Sequence, residues 1–471
     1  MNSFKLFKML KVKHEMKFNK KQKEAYDLMC NGKNLFITGA GGVGKSELIK
    51  TFVKIFSDVK KIGLTSTTGT SAIIIGGNTL HSFLGIGLGT DNIDAIYRKI
   101  SSNKYKRTVW KTLDILIIDE ISMLSPELFD KLEALARRIR MSTEPFGGIQ
   151  LILSGDLLQL PCVNNQNFCI DSKSWNECIQ HTIYLKEIMR QKDKFFQTCL
   201  NNIRLGIVND DVENLLKSRS NVDYKNNSSI KPTKIYSLNK DVDKINNKAL
   251  KKLNSKNDLQ LMQYDMDIEN LTKNQYIVNK TEKTHICNKE LLLCAGAQVM
   301  LLYNLDLDEK LVNGSIGIVV GFESDLPIVK FLNGIQRTID FQTWDIEENK
   351  KVICKVTQIP LKLAFAVSIH KVQGASIDYA EINLKNIFEY SQVYVALSRV
   401  RSIEGLFIKG YKNSDCIQSH PKALEFYQIL EKNENECSQN HNHVESTPLL
   451  PDTECHFYGS STTSQTTSAR V

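Results

Sequence analysis

The stretch that decides the fold is LFITGAGGVGKS, residues 35–46. It opens with four residues typical of a buried strand, and a pattern typical of a helix runs from Ser46 to Phe56. Between them, GAGGVGKS matches the G-x-x-x-x-G-K-S phosphate-binding loop, whose glycines let backbone N–H groups wrap a phosphate. The alternative is a chance Gly-rich turn, and the strand before it and the helix after it argue against that. The sequence therefore predicts a nucleotide site.

Each part of this loop has an expected role. The ammonium of Lys45 would neutralise the β- and γ-phosphate oxygens, and the hydroxyl of Ser46 would reach Mg²⁺. The helix N-terminus adds its dipole. Backbone contacts to ATP are expected from the residues of the loop: Gly39, Ala40, Gly41, Gly42, Val43 and Gly44.

Two acidic residues end a second apolar run, LIIDE, residues 116–120. Sites in α/β proteins lie at the carboxyl ends of strands, so these acids are expected beside the phosphate loop. Asp119 would orient Mg²⁺, and Glu120 would polarise the attacking water. An Asp-Glu pair can also be a plain loop start, but together with the phosphate loop it indicates an ATPase.

Two glutamines complete the predicted nucleotide site. GDLLQL, residues 155–160, follows another apolar run, and Gln159 is placed to contact the γ-phosphate. Gln22 lies before the first strand and could contact the adenine edge. For both, a glutamine without a catalytic role is the alternative.

Short apolar runs alternate with helix-length segments from Asn34 to about Tyr184. This alternation favours a parallel sheet with helices on both faces. The predicted strands here are residues 35–38, 62–65, 115–118 and 151–154, and the predicted helices include 126–140. A second α/β region begins near Leu185, with predicted strands at 235–238, 380–384 and 406–408.

A different pattern occupies residues 304–361. Asn333-Gly334 is typical of a type I′ hairpin turn. A small β-rich insertion is therefore predicted, with strands at 316–322, 328–331 and 336–341. Polar composition predicts surface loops and solvated helices at 208–230 and 251–280.

Composition narrows the classes of partner and compartment. The formal net charge of +9 and the pI near 8.8 favour a polyanionic partner, although many basic proteins bind no nucleic acid. No run of about eighteen apolar residues exists, so no membrane span is expected. Eleven cysteines without paired spacing argue against a zinc site and for free thiols in a reducing compartment. We expect an intracellular protein, in the nucleus first, with the mitochondrion or viral/host cytoplasm as alternatives.

Together with further motifs, these residues make the chain resemble the PIF (petite integration frequency) DNA helicases, the RecD-like 5′-to-3′ branch of superfamily 1. The resemblance spans about residues 18–409. In the first half it rests on TLHSFLGIG (79–87), IDEISM (118–123), FDKLE (129–133) and PFGGIQ (145–150). In the second half it rests on MRQ (189–191), GAQVM (296–300), VNGSIG (312–317), SIHKVQGAS (368–376) and VYVALSRV (393–400).

The resemblance implies an α/β fold with two RecA-like P-loop domains and a small SH3-like β insertion in the second. The expected segments are a basic N-terminal arm (1–17), a first RecA-like ATP-binding domain (18–184, with a small insertion at about 88–111), a second RecA-like domain (185–430), the SH3-like insertion (306–361) and a disordered tail (431–471).

The implied activity is ATP- and Mg²⁺-dependent 5′-to-3′ unwinding by a monomer acting on single-stranded DNA and duplex junctions. Its implied settings are DNA repair, recombination, replication or telomere maintenance. Arg190 and Arg399 would face the phosphate loop and stabilise charge on the transferring phosphoryl, and Gln373 would contact the nucleotide. The expected DNA-binding residues are Thr67, Thr68, Gly69, His81, Phe83, His370 and Lys371.

Two other interpretations stay open. The chain could be a superfamily 1 RNA helicase, since sugar preference is not readable from sequence. It could also be a P-loop switch or clamp that binds nucleic acid without translocating. Such a switch needs neither Gln373 nor paired arginines, so the motifs of the second half argue against it.

Overall fold

The computed structural model describes residues 18–162, 167–220, 222, 231–237, 239–257, 261–272, 274–303, 305–306, 309, 311, 313–348, 351–373, 376–385 and 387–444. The chain divides into two units, residues 1–424 and 425–471. The basic arm expected at residues 1–17 lies outside the described residues. Among those described, no helix has the length and apolarity that crossing a membrane requires.

The first part of the larger unit is built on a parallel six-stranded sheet. Its strands are β1 (Leu35–Gly39), β2 (Ile62–Ser66), β3 (Asn78–Thr79), β4 (Ile115–Asp119), β5 (Gln150–Gly155) and β6 (His181–Leu185). Their spatial order is β3-β2-β4-β5-β1-β6. The helices of this part are α1 (Lys20–Cys30), α2 (Lys45–Phe56), α3 (Gly69–Ile75), α4 (Leu80–Leu84), α5 (Ile93–Ser102), α6 (Lys104–Thr112), α7 (Pro126–Arg140) and α8 (Trp175–Cys178).

Local sequence explains where these helices begin. The side chain of Ser125 accepts a hydrogen bond from the backbone N–H of Leu128, and Pro126 takes the first helical position of α7. The core of this sheet contains apolar side chains from β1, α2, β4 and β5, among them Ile37, Ile49, Phe52, Ile117 and Ile152.

An antiparallel region separates the first parallel sheet from the second. It is reached through α9 (Lys194–Arg204), α10 (Asp210–Arg219), β7 (Thr233–Tyr236) and α11 (Asn239–Asn257). Its strands are β8 (Met262–Asp265), β9 (Asp267–Asn270), β10 (Glu290–Leu293), β11 (Gln298–Leu301), β12 (Ile316–Glu323), β13 (Leu326–Phe331), β14 (Gln336–Thr338), β15 (Gln342–Glu348), β16 (Lys351–Gln358) and β17 (Leu361–Leu363), with α12 (Gln275–Thr284) between β9 and β10.

Three antiparallel sheets form this region, in the orders β14-β13-β12-β11-β17, β15-β16-β9 and β10-β8. The strands therefore begin at Met262, well before the expected insertion bounds of 306–361. The prediction of only surface loops and solvated helices at 251–280 is wrong for β8 and β9. Strand β9 lies at the edge of its sheet and alternates half-buried and exposed residues, so its sequence has no strong apolar pattern.

The turn predicted at Asn333-Gly334 also differs. A type I′ turn needs positive φ at both central residues. Of the two, only Gly334 has it, at 87°. Phe331 and Ile335 flank a three-residue loop in which the N–H of Gly334 donates to the carbonyl of Phe331 at 3.0 Å.

The second parallel sheet closes the larger unit. After β18 (Ala366–Ser368) come α13 (Ile369–Val372), β19 (Ala380–Asn383), α14 (Gln392–Leu397) and β20 (Leu406–Lys409), and the sheet order is β18-β7-β19-β20. The expected α/β fold with two parallel sheets is confirmed. Of the smaller unit, residues 425–444 are described and belong to α15 (Pro421–Val444).

The tail expected to be disordered from residue 431 is thus helical as far as Val444. Helix-favouring Glu and Lys residues and the i,i+4 pair of Lys432 with Glu436, 4.0 Å apart, support that helix. The rest of the tail, residues 445–471, lies outside the described residues.

Gly405→Ala is predicted to destabilise the second parallel sheet. A Cβ at Gly405, just before β20, would lie 1.8 Å from the carbonyl oxygen of Asp378, so the backbone must shift. We expect a loss of about 1–3 kcal/mol in the free energy of unfolding, measured by urea denaturation. The control is Gly321→Ala, where a Cβ meets nothing within 4 Å. Equal denaturation midpoints for the two variants would contradict the prediction.

Candidate nucleotide-binding and nucleic-acid site

The phosphate loop joins β1 to α2 through glycines in conformations that other residues rarely adopt. Gly39, Gly42 and Gly44 have φ of 142°, 92° and 88°. A Cβ on Gly39 would lie 2.2 Å from the carbonyl oxygen of Leu185, so a side chain does not fit there. The helix begins at Lys45, one residue before the predicted start.

The ammonium of Lys45 lies over this loop. Its Nζ donates to the carbonyl oxygens of Gly39 at 2.6 Å and Ala40 at 3.0 Å. Burial lowers the pKa of Lys45, while Asp156, Glu120 and Asp119 act in the opposite direction. The cation is thus held close to three carboxylates.

The two acids that end β4 lie where the sequence predicted. Ser46 Oγ donates to Asp119 Oδ2 at 3.5 Å. Glu120 has a left-handed backbone, with φ 56° and ψ 48°, and its Oε2 accepts from Gln373 Nε2 at 3.1 Å. Burial raises the pKa of both carboxyls. Each can stay ionised only beside cations such as Lys45.

These residues fit the Mg²⁺–ATP that the loop implies. Mg²⁺ at such sites is held by few protein oxygens, with water and phosphate completing its octahedron. The hydroxyl of Ser46 and the carboxylate of Asp119 offer that pair. Gln159 is buried, and its Oε1 has no hydrogen-bond partner within the described ranges, so it can accept a bond from a ligand.

Two arginines converge on the phosphate loop from the far side. A Cβ at Gly41 would lie 3.1 Å from Arg399 Nη2 and 3.5 Å from Arg190 Nη1. Arg190 Nη1 donates to the carbonyl of Ser398 at 3.1 Å, and Arg399 Nε donates to that of Val395 at 2.9 Å. Burial lowers both pKa values, that of Arg190 to about 9, so this guanidinium stays charged at neutral pH.

The structure adds residues that the sequence did not single out. The hydroxyl of Tyr394 accepts from the Gly41 N–H at 2.9 Å and donates to Asp156 Oδ2 at 3.4 Å. Arg204 holds both oxygens of Asp156, at 2.8 and 3.0 Å, with both side chains fully buried. Tyr394 and Asp156 lay inside quoted motifs, whereas Arg204 lies on α9 without any motif signal.

Gln191 was also missed, although it belongs to the quoted MRQ stretch. Its Nε2 donates to the carbonyls of Ser398 at 3.1 Å and Val400 at 2.9 Å. The N–H of Met189 donates to the carbonyl of Gly42 at 2.9 Å. This stretch therefore joins the phosphate loop to the segment that carries Arg399.

Gln22 lies at the phosphate loop, but its amide is already engaged. Its Nε2 donates to the carbonyl of Val43 at 3.1 Å, and its Oε1 accepts from the N–H of Asn19 in the cap of α1. In this arrangement Gln22 fixes α1 to the loop, and contact with adenine requires its amide to turn.

The predicted DNA-binding residues of the first sheet lie in two places. Thr67, Thr68 and Gly69 follow β2, and a Cβ on Gly69 would meet nothing within 4 Å, so that backbone is open. His81 is half-buried, which lowers its pKa. The ring of Phe83 packs on the backbone of Gly63, since a Cβ there would lie 2.5 Å from it. This contact packs one edge of the half-buried Phe83 ring against β2.

His370 and Lys371 belong to α13, three and two residues before Gln373. Their side chains lie outside the described residues. Gln373 itself is buried and makes the bond to Glu120 given above.

Comparisons with known proteins place the chain among its relatives. A sequence model described as PIF1-like helicase matches residues 17–214, and one described as DNA helicase Pif1, 2B domain, matches residues 278–322. Protein 030L of Invertebrate iridescent virus 6, which is uncharacterized, is 38% identical over 91% of this chain and 97% of its own length.

A named relative and a solved structure add to this. The ATP-dependent DNA helicase PIF1 of Xenopus laevis is 38% identical over 90% of this chain, and the chain spans 66% of that relative. The crystal structure of the Pif1 helicase from Candida albicans matches 88% of this chain and 100% of its own, at 35% identity and a TM-score of 0.74. With these matches along nearly its whole described length, the chain belongs to the PIF1-like helicase family.

Proposed function

We propose that this chain is an ATP-dependent DNA helicase that translocates 5′ to 3′ on single-stranded DNA and unwinds duplex or structured DNA. The observation that carries the proposal is the meeting of two parallel-sheet regions at one phosphate loop. Gln373, Tyr394 and Arg399, all from the second region, lie against Glu120 and Gly41 of the first. A nucleotide bound between two such regions can drive their closure and opening.

The contacts at the phosphate loop support the following roles in hydrolysis. The loop amides and Lys45 would bind the phosphates, and Ser46 and Asp119 would hold Mg²⁺, which supplies positive charge beside the phosphates. Glu120 polarises the attacking water, and the amide of Gln373 orients its carboxylate. A cationic guanidinium at the transferring phosphoryl is worth roughly 10³- to 10⁵-fold in other NTPases, and this is the role of Arg190 and Arg399.

The DNA track runs over both parallel sheets. We assign phosphate contacts to the segment of Thr67, Thr68 and Gly69. The N–H and hydroxyl of Thr67 already bond to carbonyls of the first sheet, so the hydroxyl and backbone donors for phosphate come from Thr68 and Gly69. Aromatic and basic groups add stacking and charge, and we assign these roles to His81, Phe83, His370 and Lys371. The net charge of +9 favours the same polyanion. The name of the Xenopus relative, a DNA helicase, favours DNA over RNA.

The proposal also covers the domain bounds, the oligomeric state, the compartment and the pathway. The two RecA-like domains would span residues 18–184 and 185–430, with the SH3-like β insertion at 306–361 within the second. The protein would act as a monomer, in the nucleus, with the mitochondrion or the viral/host cytoplasm as alternatives. Its pathways would be repair, recombination, replication or telomere maintenance.

Lys45→Ala should abolish ATP turnover, because it removes the ammonium that would neutralise the β- and γ-phosphate oxygens. Glu120→Gln should retain ATP binding and stop turnover, because an amide cannot polarise water as a carboxylate does. The measurements are steady-state ATP hydrolysis and fluorescent-nucleotide binding. The control is Lys50→Ala, an exposed lysine on the same helix. Normal ATP turnover in folded Lys45→Ala or Glu120→Gln protein would contradict the role assigned to that residue.

Arg399→Ala should leave nucleotide affinity within a few-fold while DNA-stimulated hydrolysis collapses. Arg399 reaches the loop from the segment that follows α14, across the site from Lys45, so its charge should matter most as the phosphoryl transfers. Nucleotide affinity and turnover are compared with those of Arg401→Ala. Arg401 pairs with Asp378 at 3.4 Å and is 59% exposed. A parallel fall in affinity and turnover would identify Arg399 as an affinity or structural residue.

The direction of movement can be tested with partial duplexes. A duplex with a 5′ single-stranded tail should be unwound, and one with only a 3′ tail should not. Strand separation is followed by release of a labelled strand on native gels. Lys45→Ala protein serves as the control for passive melting. Efficient unwinding from the 3′ tail would reverse the assigned polarity and leave the ATPase assignment standing.

A further inference from the structure

The hydroxyl of Tyr394 occupies a hydrogen-bonding position at the phosphate loop. It accepts the N–H of Gly41 at 2.9 Å, although the two residues lie on opposite sides of the site. Tyr394 is 3% exposed, so water does not compete for this bond. Gly41 is one of the residues whose amides the phosphate-loop pattern assigns to phosphate.

A second bond fixes the direction of the hydroxyl. Its proton points to Asp156 Oδ2 at 3.4 Å, and that carboxylate is held by Arg204 and by the N–H of Leu158. Burial, and then the charge of Asp156, raise the pKa of Tyr394 to about 12. The hydroxyl therefore stays protonated at working pH, donates to Asp156 and offers its lone pair to Gly41.

One amide N–H cannot make a full hydrogen bond to the tyrosine oxygen and to a phosphate oxygen at once. We propose that Tyr394 is a positioning residue that couples phosphate binding to movement of α14, because phosphate takes the Gly41 N–H from its hydroxyl. This inference rests on the proposed role of the phosphate loop, and it assigns Tyr394 no direct part in hydrolysis.

The rest of α14 explains why this exchange matters. The carbonyl of Ser398, directly after the helix, accepts bonds from Arg190 and Gln191. Arg399 follows and bonds back to the carbonyl of Val395. A shift of Tyr394 away from Gly41 therefore moves the segment that positions both arginines. Phosphate at the loop and the guanidiniums on the far side are linked through one hydroxyl.

The test is Tyr394→Phe, which removes the hydroxyl and keeps the ring. With its competitor gone, the Gly41 N–H is free for phosphate, so fluorescent ADP should bind about 3- to 10-fold more tightly, the equivalent of one net hydrogen bond. The KM for ATP should fall with it, while the kcat of DNA-stimulated hydrolysis should also fall, because the arginines lose their link to the loop.

The matched control is Tyr264→Phe. Its hydroxyl donates to the carbonyl of Asp325 at 2.6 Å in the antiparallel region, away from the phosphate loop, so ADP affinity should not change. If Tyr394→Phe does not fold, as judged by circular dichroism, Tyr394→Met takes its place in the ADP measurement.

If Tyr394→Phe bound ADP equally or more weakly, phosphate would not compete with the tyrosine hydroxyl for the Gly41 N–H. If its kcat were unchanged, Tyr394 would not position Arg190 and Arg399. The ADP comparison needs neither DNA nor unwinding. A chain without DNA-stimulated turnover would therefore refute the proposed function separately, while the competition at Gly41 would still be decided.

Discussion

The site depends on charged side chains of opposite sign that are buried together at the phosphate loop and compensate one another. For Lys45, Asp119, Glu120 and Arg399, burial is the largest influence on the pKa, and in each case it disfavours the charged form. A buried charge is costly unless opposite charges and hydrogen bonds compensate it. The acids of the first sheet therefore need the lysine beside them and the arginine from α14.

Sheet order brings these groups together. Strands β2, β4, β5 and β1 are neighbours, and a functional segment follows each at its carboxyl end. The segments are Thr67–Thr68, Asp119–Glu120, Asp156–Gln159 and the phosphate loop. Because parallel strands end at one edge, residues more than a hundred positions apart meet without a long connecting loop.

Sequence alone could predict the parts of the site that local patterns encode. The phosphate loop and the acids after β4 are local patterns, so their positions were readable. The bond from Gln373 to Glu120 joins residues 253 positions apart, and no local pattern encodes such a distance. Arg204 was hidden for another reason, since its role comes from burial against Asp156. Strand β9 was missed because a polar edge strand lacks the apolar signal on which strand prediction relies.

The two segments that we propose to contact DNA both lie next to Glu120, and this position relates hydrolysis to DNA. Thr67 donates its N–H to the carbonyl of Asp119 at 3.2 Å and its hydroxyl to the carbonyl of Glu120 at 2.7 Å.

On the other side, Gln373 bonds the Glu120 carboxylate and directly follows α13, which carries His370 and Lys371. Glu120 is thus hydrogen-bonded on one side to Thr67, a proposed DNA-binding residue of the first sheet. On the other side it is hydrogen-bonded to Gln373, next to the proposed DNA-binding residues of α13. Its left-handed backbone also stores strain, which for a non-glycine residue is kept only where neighbouring contacts hold it. A DNA strand that moves Thr67 or α13 would therefore change the orientation of the Glu120 carboxylate, to which we assign the polarisation of water. We expect turnover to respond to DNA on either sheet for this reason.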